Sequence, residues 1–228
     1  MFRIATLMLG SVLLTGVAMA EPSSNVAWTP EVRNLVLEAS PKVGRATAIN
    51  EPEDVNSCAD CHGEMGDDPS KSKTPMISGQ TATYIYKQLR DYKDGKRKHK
   101  KMQEAAELLT EWQMAELGAW YAQQPLPKPE LDEDETVTPE AVNLVFFGDK
   151  TRLIQPCASC HGQQGEGAAQ NVPVLVGQDV KYFVDTMKKY AKGKRSNDIY
   201  SRMRIIAEKL SRDEIKQLAI YYARLGQD

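Results

Sequence analysis

Cys58-Ala59-Asp60-Cys61-His62 and Cys157-Ala158-Ser159-Cys160-His161 are two copies of one pentapeptide. They use every cysteine of the chain and two of its three histidines. Cys-x-x-Cys-His is the attachment signature of c-type haem: each thiol adds across one vinyl group to give a thioether, and the adjacent histidine reaches the iron from one side. A single C-x-x-C could also be a thioredoxin-like redox pair, half of a zinc site or a disulfide. Two copies with no spare cysteine, each followed by a histidine, favour two covalently bound haem c groups. A zinc site or a disulfide framework leaves the histidine placement unexplained. The expected attachment residues are Cys58, Cys61, Cys157 and Cys160, and the expected proximal iron ligands are His62 and His161.

Iron so held needs a second axial donor unless the site is catalytic. Met102 sits seven residues before Leu109, and Met203 seven before Leu210, each in what reads as an irregular loop before the last helix of a repeat. Met187 aligns with Leu89, Met114 with Ile215 and Met76 with Val174, positions that require only an apolar side chain. Met102 and Met203 keep sulfur in both copies and are the expected distal ligands. His99, three residues before Met102, is a competing donor. It reads as a solvated residue of the basic run 96–101, and the counterpart 196–201 has no histidine. His/Met ligation raises the reduction potential relative to bis-histidine and fills the iron, which favours electron transfer over catalysis. Pro75 and Pro173, each opening a Pro-x-x-x-Gly-Gln stretch, offer carbonyls to the other ring nitrogen of His62 and His161.

The elements that must position these groups come from an internal duplication. Thr29-Pro30-Glu31 is echoed by Thr138-Pro139-Glu140, Gly79-Gln80 by Gly177-Gln178, and Tyr84, Tyr92 and Gly95-Lys96-Arg97 by Tyr182, Tyr190 and Gly193-Lys194-Arg195. Trp120-Tyr121-Ala122 matches Tyr221-Tyr222-Ala223. Ile85, Leu89 and Tyr92 form a helical stripe ended by Gly95. Thr110 and Ser211 are good N-caps for terminal helices that present Met114, Leu117 and Tyr121, or Ile215, Leu218 and Tyr222. No alternating run is long enough for a strand. The expected fold class is all-α, with a first domain over 21–124 and a second over 138–228. The Pro-rich, acidic segment 125–137 reads as an extended linker in which proline and like charge oppose packing.

Residues 1–20 read as a secretory signal, with Arg3, an apolar stretch Ile4 to Val17 and an A-x-A site at Ala18-Met19-Ala20. The stretch is short against the about 20 residues of a bilayer span. The mature chain, cleaved after Ala20 and without a transmembrane segment, is expected in the periplasm. The whole chain carries a formal charge of −2, and loss of Arg3 makes it one unit more negative. That excludes a globally basic nucleic-acid binder. The run 87–101 is nonetheless basic, and reads either as solvated helix face or as a patch that steers an acidic redox partner to a haem edge.

With these motifs in place, the chain resembles the dihaem class I cytochromes c, and most of all cytochrome c4. The resemblance spans nearly all of the mature chain. It implies two helical domains related by a pseudo-twofold axis with the haems close across the interface, and a periplasmic carrier that often feeds a terminal oxidase. It also implies redox-protein partners, donor and acceptor, and the ligand set given above. Two other functions share the outline. One is an electron-transfer subunit of a dehydrogenase complex, for example in sulfur-compound oxidation. The other is a dihaem enzyme such as a thiosulfate dehydrogenase, in which one iron has an unusual or open ligand.

Overall fold

The structure, a computed structural model, describes residues 28–50, 57–70, 74–131 and 135–226. The expected leader 1–20 and the linker acids 132–134 lie outside them. The first half runs through α1 (Pro30–Glu38), α2 (Pro41–Ile49), α3 (Cys58–His62), α4 (Ala82–Lys93), α5 (Lys100–Glu107) and α6 (Glu111–Ala122). The second half runs through α7 (Pro139–Phe146), α8 (Ala158–His161), α9 (Val180–Ala191), α10 (Arg202–Lys209) and α11 (Arg212–Leu225). Among the described residues the only β pairing is two isolated bridges, Asp149 with Ile154 and Ala168 with Val172. The fold is two tandem all-α halves, each with its own core.

Local chemistry sets the helix ends. Thr29 and Thr138 cap α1 and α7 with proline in the first turn. Thr110 with Gln113, and Ser211 with Glu214, close capping boxes on α6 and α11. Gly95 and Gly193, at φ 69° and 64°, stop α4 and α9 with a backbone that L side chains resist. Met114, Leu117 and Tyr121 of α6, and Ile215, Leu218 and Tyr222 of α11, are buried in the two cores.

Three sequence expectations are corrected. Met102 and Met203 stand in the first turns of α5 and α10 rather than in irregular loops. The run Lys100–Glu107 is made almost wholly of strong helix formers, which suffices for a short helix. Secondly, the linker is extended but packed: Pro127 and Pro129 are buried. A Cβ on Gly79 would lie 2.8 Å from Leu126 Cδ2, and one on Gly177 would lie 2.1 Å from Pro127 O. Proline has no N–H to strand on burial, so it can be laid against two domains at once. Glu135 then ion-pairs with Lys216 at 2.8 Å and accepts from Arg224 through its carbonyl. Thirdly, the basic run 87–101 is not one solvated face. Lys87 is 2% exposed and ion-paired with Asp91, which is 1% exposed, and Arg97 is half-buried.

These residues are buried because they join the halves. Gln80 Nε2 donates to Val174 O at 3.1 Å and its Oε1 accepts from Val174 N at 2.9 Å. Gln178 Nε2 donates to Met76 O at 2.8 Å and its Oε1 accepts from Met76 N at 3.1 Å. Gln80 and Gln178 are repeat partners, as are Met76 and Val174, so the contact is self-complementary, as a twofold interface requires. Arg97 donates to Tyr182 OH at 3.0 Å, and Arg195 to Tyr84 OH at 2.9 Å, by the same symmetry. Asn197 breaks it: its carbonyl accepts from Lys87 Nζ at 2.8 Å and its amide donates to Asp91 at 2.7 Å.

Candidate haem centres

In the first half, α3 is a single turn. Ser57 starts it with a capping box, donating its N–H to Asp60 Oδ2 at 2.8 Å and accepting from Asp60 N at 3.2 Å. Gly63 and Gly162, at φ 81° and 83°, turn the chain back directly after His62 and His161. A Cβ on Gly63 would lie 2.9 Å from Asp68 N, so the return path needs glycine. The returning strands of chain bring Pro75 and Pro173 beneath the imidazoles.

His62 Nδ1 lies 2.9 Å from Pro75 O, and His161 Nδ1 lies 3.0 Å from Pro173 O. A carbonyl only accepts, so the proton sits on Nδ1 and the lone pair is left on Nε2. Both rings are buried. Burial holds each imidazole below its ordinary range, with the proline carbonyl acting the other way. A neutral ring with a free Nε2 is the form that ligates metal. Burial also pushes the Cys58 and Cys157 thiols up to about 11.

Met102 and Met203 are partly buried and pack against the first and second cores respectively. They line one cleft of about 1860 Å³ together with Cys61, His62, Cys160 and His161. A site for one ligand is roughly 300–1,000 Å³, so this cleft has room for two. His99 lines it too, but from the exposed N-cap of α5.

Two features not singled out by motif also fit haem. The Tyr121 and Tyr222 hydroxyls are buried with no hydrogen-bond partner among the described residues. Arg97 and Arg195 line the cleft, and among the described residues their guanidinium groups donate to Gln88, Tyr182, Asn197 and Tyr84 rather than to a carboxylate. Burial raises the Tyr182 phenol, but Arg97 and Arg195 outweigh it and bring the group down to about 7. The cleft thus joins apolar walls and thioether side chains to two cations with no carboxylate partner among the described residues. A large apolar group bearing carboxylates, as haem is, meets all three requirements. The repeat alignment already paired Arg97 with Arg195 and Tyr121 with Tyr222, which was the available signal.

No protein-family model matches the chain. It is 31% identical over 172 residues to the thiosulfate dehydrogenase electron acceptor of Stutzerimonas stutzeri (strain A1501), covering 75% of this chain and 80% of that protein. It is 32% identical over 192 residues to cytochrome c4 of Thiocapsa roseopersicina, covering 83% and 97%. Its fold matches the crystal structure of reduced recombinant cytochrome c4 from Pseudomonas stutzeri with a TM-score of 0.71 at 25% identity, over 81% of this chain and 98% of that one.

Proposed function

The chain belongs to the cytochrome c4 family and is a dihaem electron-transfer cytochrome, and from that premise we propose how its own residues hold the two covalent haem c groups and where the electrons go. Cys58 and Cys61, and Cys157 and Cys160, are the thioether residues. His62 and His161 would hold the iron through Nε2, and Met102 and Met203 would supply its second donors. The domains span 21–124 and 138–228, joined by 125–137. When bound, the haems supply reversible one-electron chemistry. The protein's part is to orient ligands, exclude water and keep the two centres in one fixed cleft. The single observation that carries this is the duplicated hydrogen bond from histidine Nδ1 to a proline carbonyl, which sets both rings in the ligating tautomer.

A histidine and a methionine donor at each haem would leave no coordination site for a substrate, which supports a carrier rather than an enzyme. The expected place is the periplasm, after cleavage at Ala20. Relatives named as electron acceptors of thiosulfate dehydrogenase favour a sulfur-compound dehydrogenase as the donor, with a terminal oxidase as the expected acceptor. The test is a spectroelectrochemical titration of the holoprotein. It should count two haems per chain, both with the ferric methionine-to-iron charge-transfer band. A high-spin ferric centre at either site would sink the carrier assignment. Stopped-flow reduction by a thiosulfate dehydrogenase turning over thiosulfate tests the donor.

A further inference from the structure

The duplication carries one charged pair with its polarity reversed. With Tyr84 aligned to Tyr182 and Arg97 to Arg195, Lys87 falls opposite Asp185, Asp91 opposite Lys189, and His99 opposite Asn197. Each half thus has an i, i+4 ion pair at one place on its long helix, α4 or α9. The order is cation then anion in the first half. It is anion then cation in the second, where Lys189 Nζ lies 2.7 Å from Asp185. An acid placed before a base suits the helix dipole better. The order in α4 therefore runs against what the helix itself favours.

Both pairs face across the joint. Lys87 Nζ donates to the Asn197 carbonyl at 2.8 Å, and the Asn197 amide donates to Asp91 at 2.7 Å. Asn197 also accepts from Arg195 Nε at 3.0 Å. Its neighbour Asp198 accepts from Arg204 N at 3.0 Å and from Arg204 Nε at 2.8 Å. Lys87 is therefore tied to the 195–204 segment, which carries Met203 of the other half. It lines the cleft with Arg195 and Asn197, and Asp91 stands behind it on α4. On the opposite side Arg97 reaches Tyr182 as Arg195 reaches Tyr84, which sets α9 against the segment that leads to Met102. Asp185, Lys189 and His99 line the cleft there. Burial and the Lys189 ammonium hold the His99 imidazole below its ordinary range.

A reduced haem is one unit less positive than an oxidised one. A fixed cation beside it favours reduction and a fixed anion opposes it, with little screening where water is excluded. Lys87 and Asp91 are both buried. Burial lowers the Lys87 ammonium, and Asp91 works against that. A buried pair is weak evidence for stability, because well-packed neutral groups often serve as well. Resting on the carrier assignment, we infer that each half tunes the other's haem centre, and with opposite sign: Lys87 raises the reduction potential of the second centre, and Asp185 lowers that of the first.

The test is a spectroelectrochemical titration of the holoprotein. Each potential is assigned to its centre by the displacement that Met102→Leu or Met203→Leu causes. Lys87→Gln with Asp91→Asn removes the pair and strands no charge, so the fold is kept. It should lower the second potential by about threefold in its one-electron equilibrium, the scale of a charge pair felt through an effective dielectric of about 20. The first potential should stay in place. Asp185→Asn with Lys189→Gln should raise the first potential and leave the second. Lys87→Arg, which keeps the charge and changes the shape, should hold the parent values. A second potential unmoved by the Lys87 and Asp91 double variant would overturn the tuning. So would shifts of one sign at both centres in either double variant, since a loosened joint would produce them. A parent protein lacking two His/Met haems would overturn the carrier assignment instead.

Discussion

At His62 and His161 one hydrogen bond fixes both proton position and ring plane, so under the proposed ligation the second donor would set what distinguishes the two centres. Met102 and Met203 are partly buried against their own cores, whereas His99 is an exposed helix N-cap. Replacing a thioether by an apolar side chain removes the donor that raises the potential. Met203→Leu should therefore lower one of two reduction potentials and halve the charge-transfer band, and His99→Ala should change neither. A first-haem potential that moves with His99 would assign that ligand to the imidazole. The proposed ligand residues can be picked out of the sequence because the motif repeats and sulfur recurs at one aligned position. Arg97, Arg195 and the Tyr121 and Tyr222 hydroxyls cannot, because a lone arginine reads as solvated and a helix tyrosine as core. Only the convergence of Arg97, Arg195 and Tyr222 on one cleft gives them a part.

Among the elements, α2 has no equivalent between α7 and α8, where the second half has the 148–155 turn. It lies so close to α6 that a Cβ on Gly44 would come 1.9 Å from Glu116 O and 3.0 Å from Trp120 Cβ. Neither a carbonyl nor a helix backbone can yield that distance. Gly44→Ala should cost about 1–3 kcal/mol by overpacking, seen as a lower melting temperature and faster hydrogen exchange in α2 and α6 but not in α11. The 148–155 turn should respond to acid instead. Hydrogen bonds from Thr151 and Arg152 hold the Asp149 carboxyl well below its ordinary range, and Arg152 lowers Glu214. Groups depressed in the fold lend stability above their unfolded pKa, about 4, and lose it as pH falls through the folded value. Exchange-corrected protection of amides 149–154 should drop as pH falls below about 4, and Arg152→Gln should remove the pH dependence. Long helices with a clear apolar period and a cap were readable. The nine residues of α2 and eight of α10 are too short to show a period, and packing rather than propensity makes them helical.

For the whole molecule, the duplication was visible in the sequence but the surface joining its halves was not. Gln80, Lys87, Gln88, Asp91, Arg97 and Arg195 carry the polarity of a solvated face, and their partners lie on the order of a hundred residues away. Their burial decides how the halves behave. Reciprocal glutamine bonds satisfy backbone groups on both sides, and the 125–131 strap lies over Gly79 and Gly177, so cutting the chain within 132–134 should leave the halves associated. Separation on gel filtration at micromolar concentration would show that the tether, not the interface, holds them. Within that interface the Lys87–Asp91 pair is the most exacting part. It is buried from water and tied to Asn197 of the other half, so loss of one partner strands a charge at the joint. Asp91→Ala should cost about 3–5 kcal/mol, the range for breaking a buried pair. Lys100→Ala, which breaks an ion pair of 3.8 Å with an 89% exposed lysine, should cost about 0–1 kcal/mol. Because the first cost falls on the contact between halves rather than on either core, calorimetry of Asp91→Ala should show one unfolding transition split into two. A single transition shifted as little as in Lys100→Ala would mean that the halves are held without that pair.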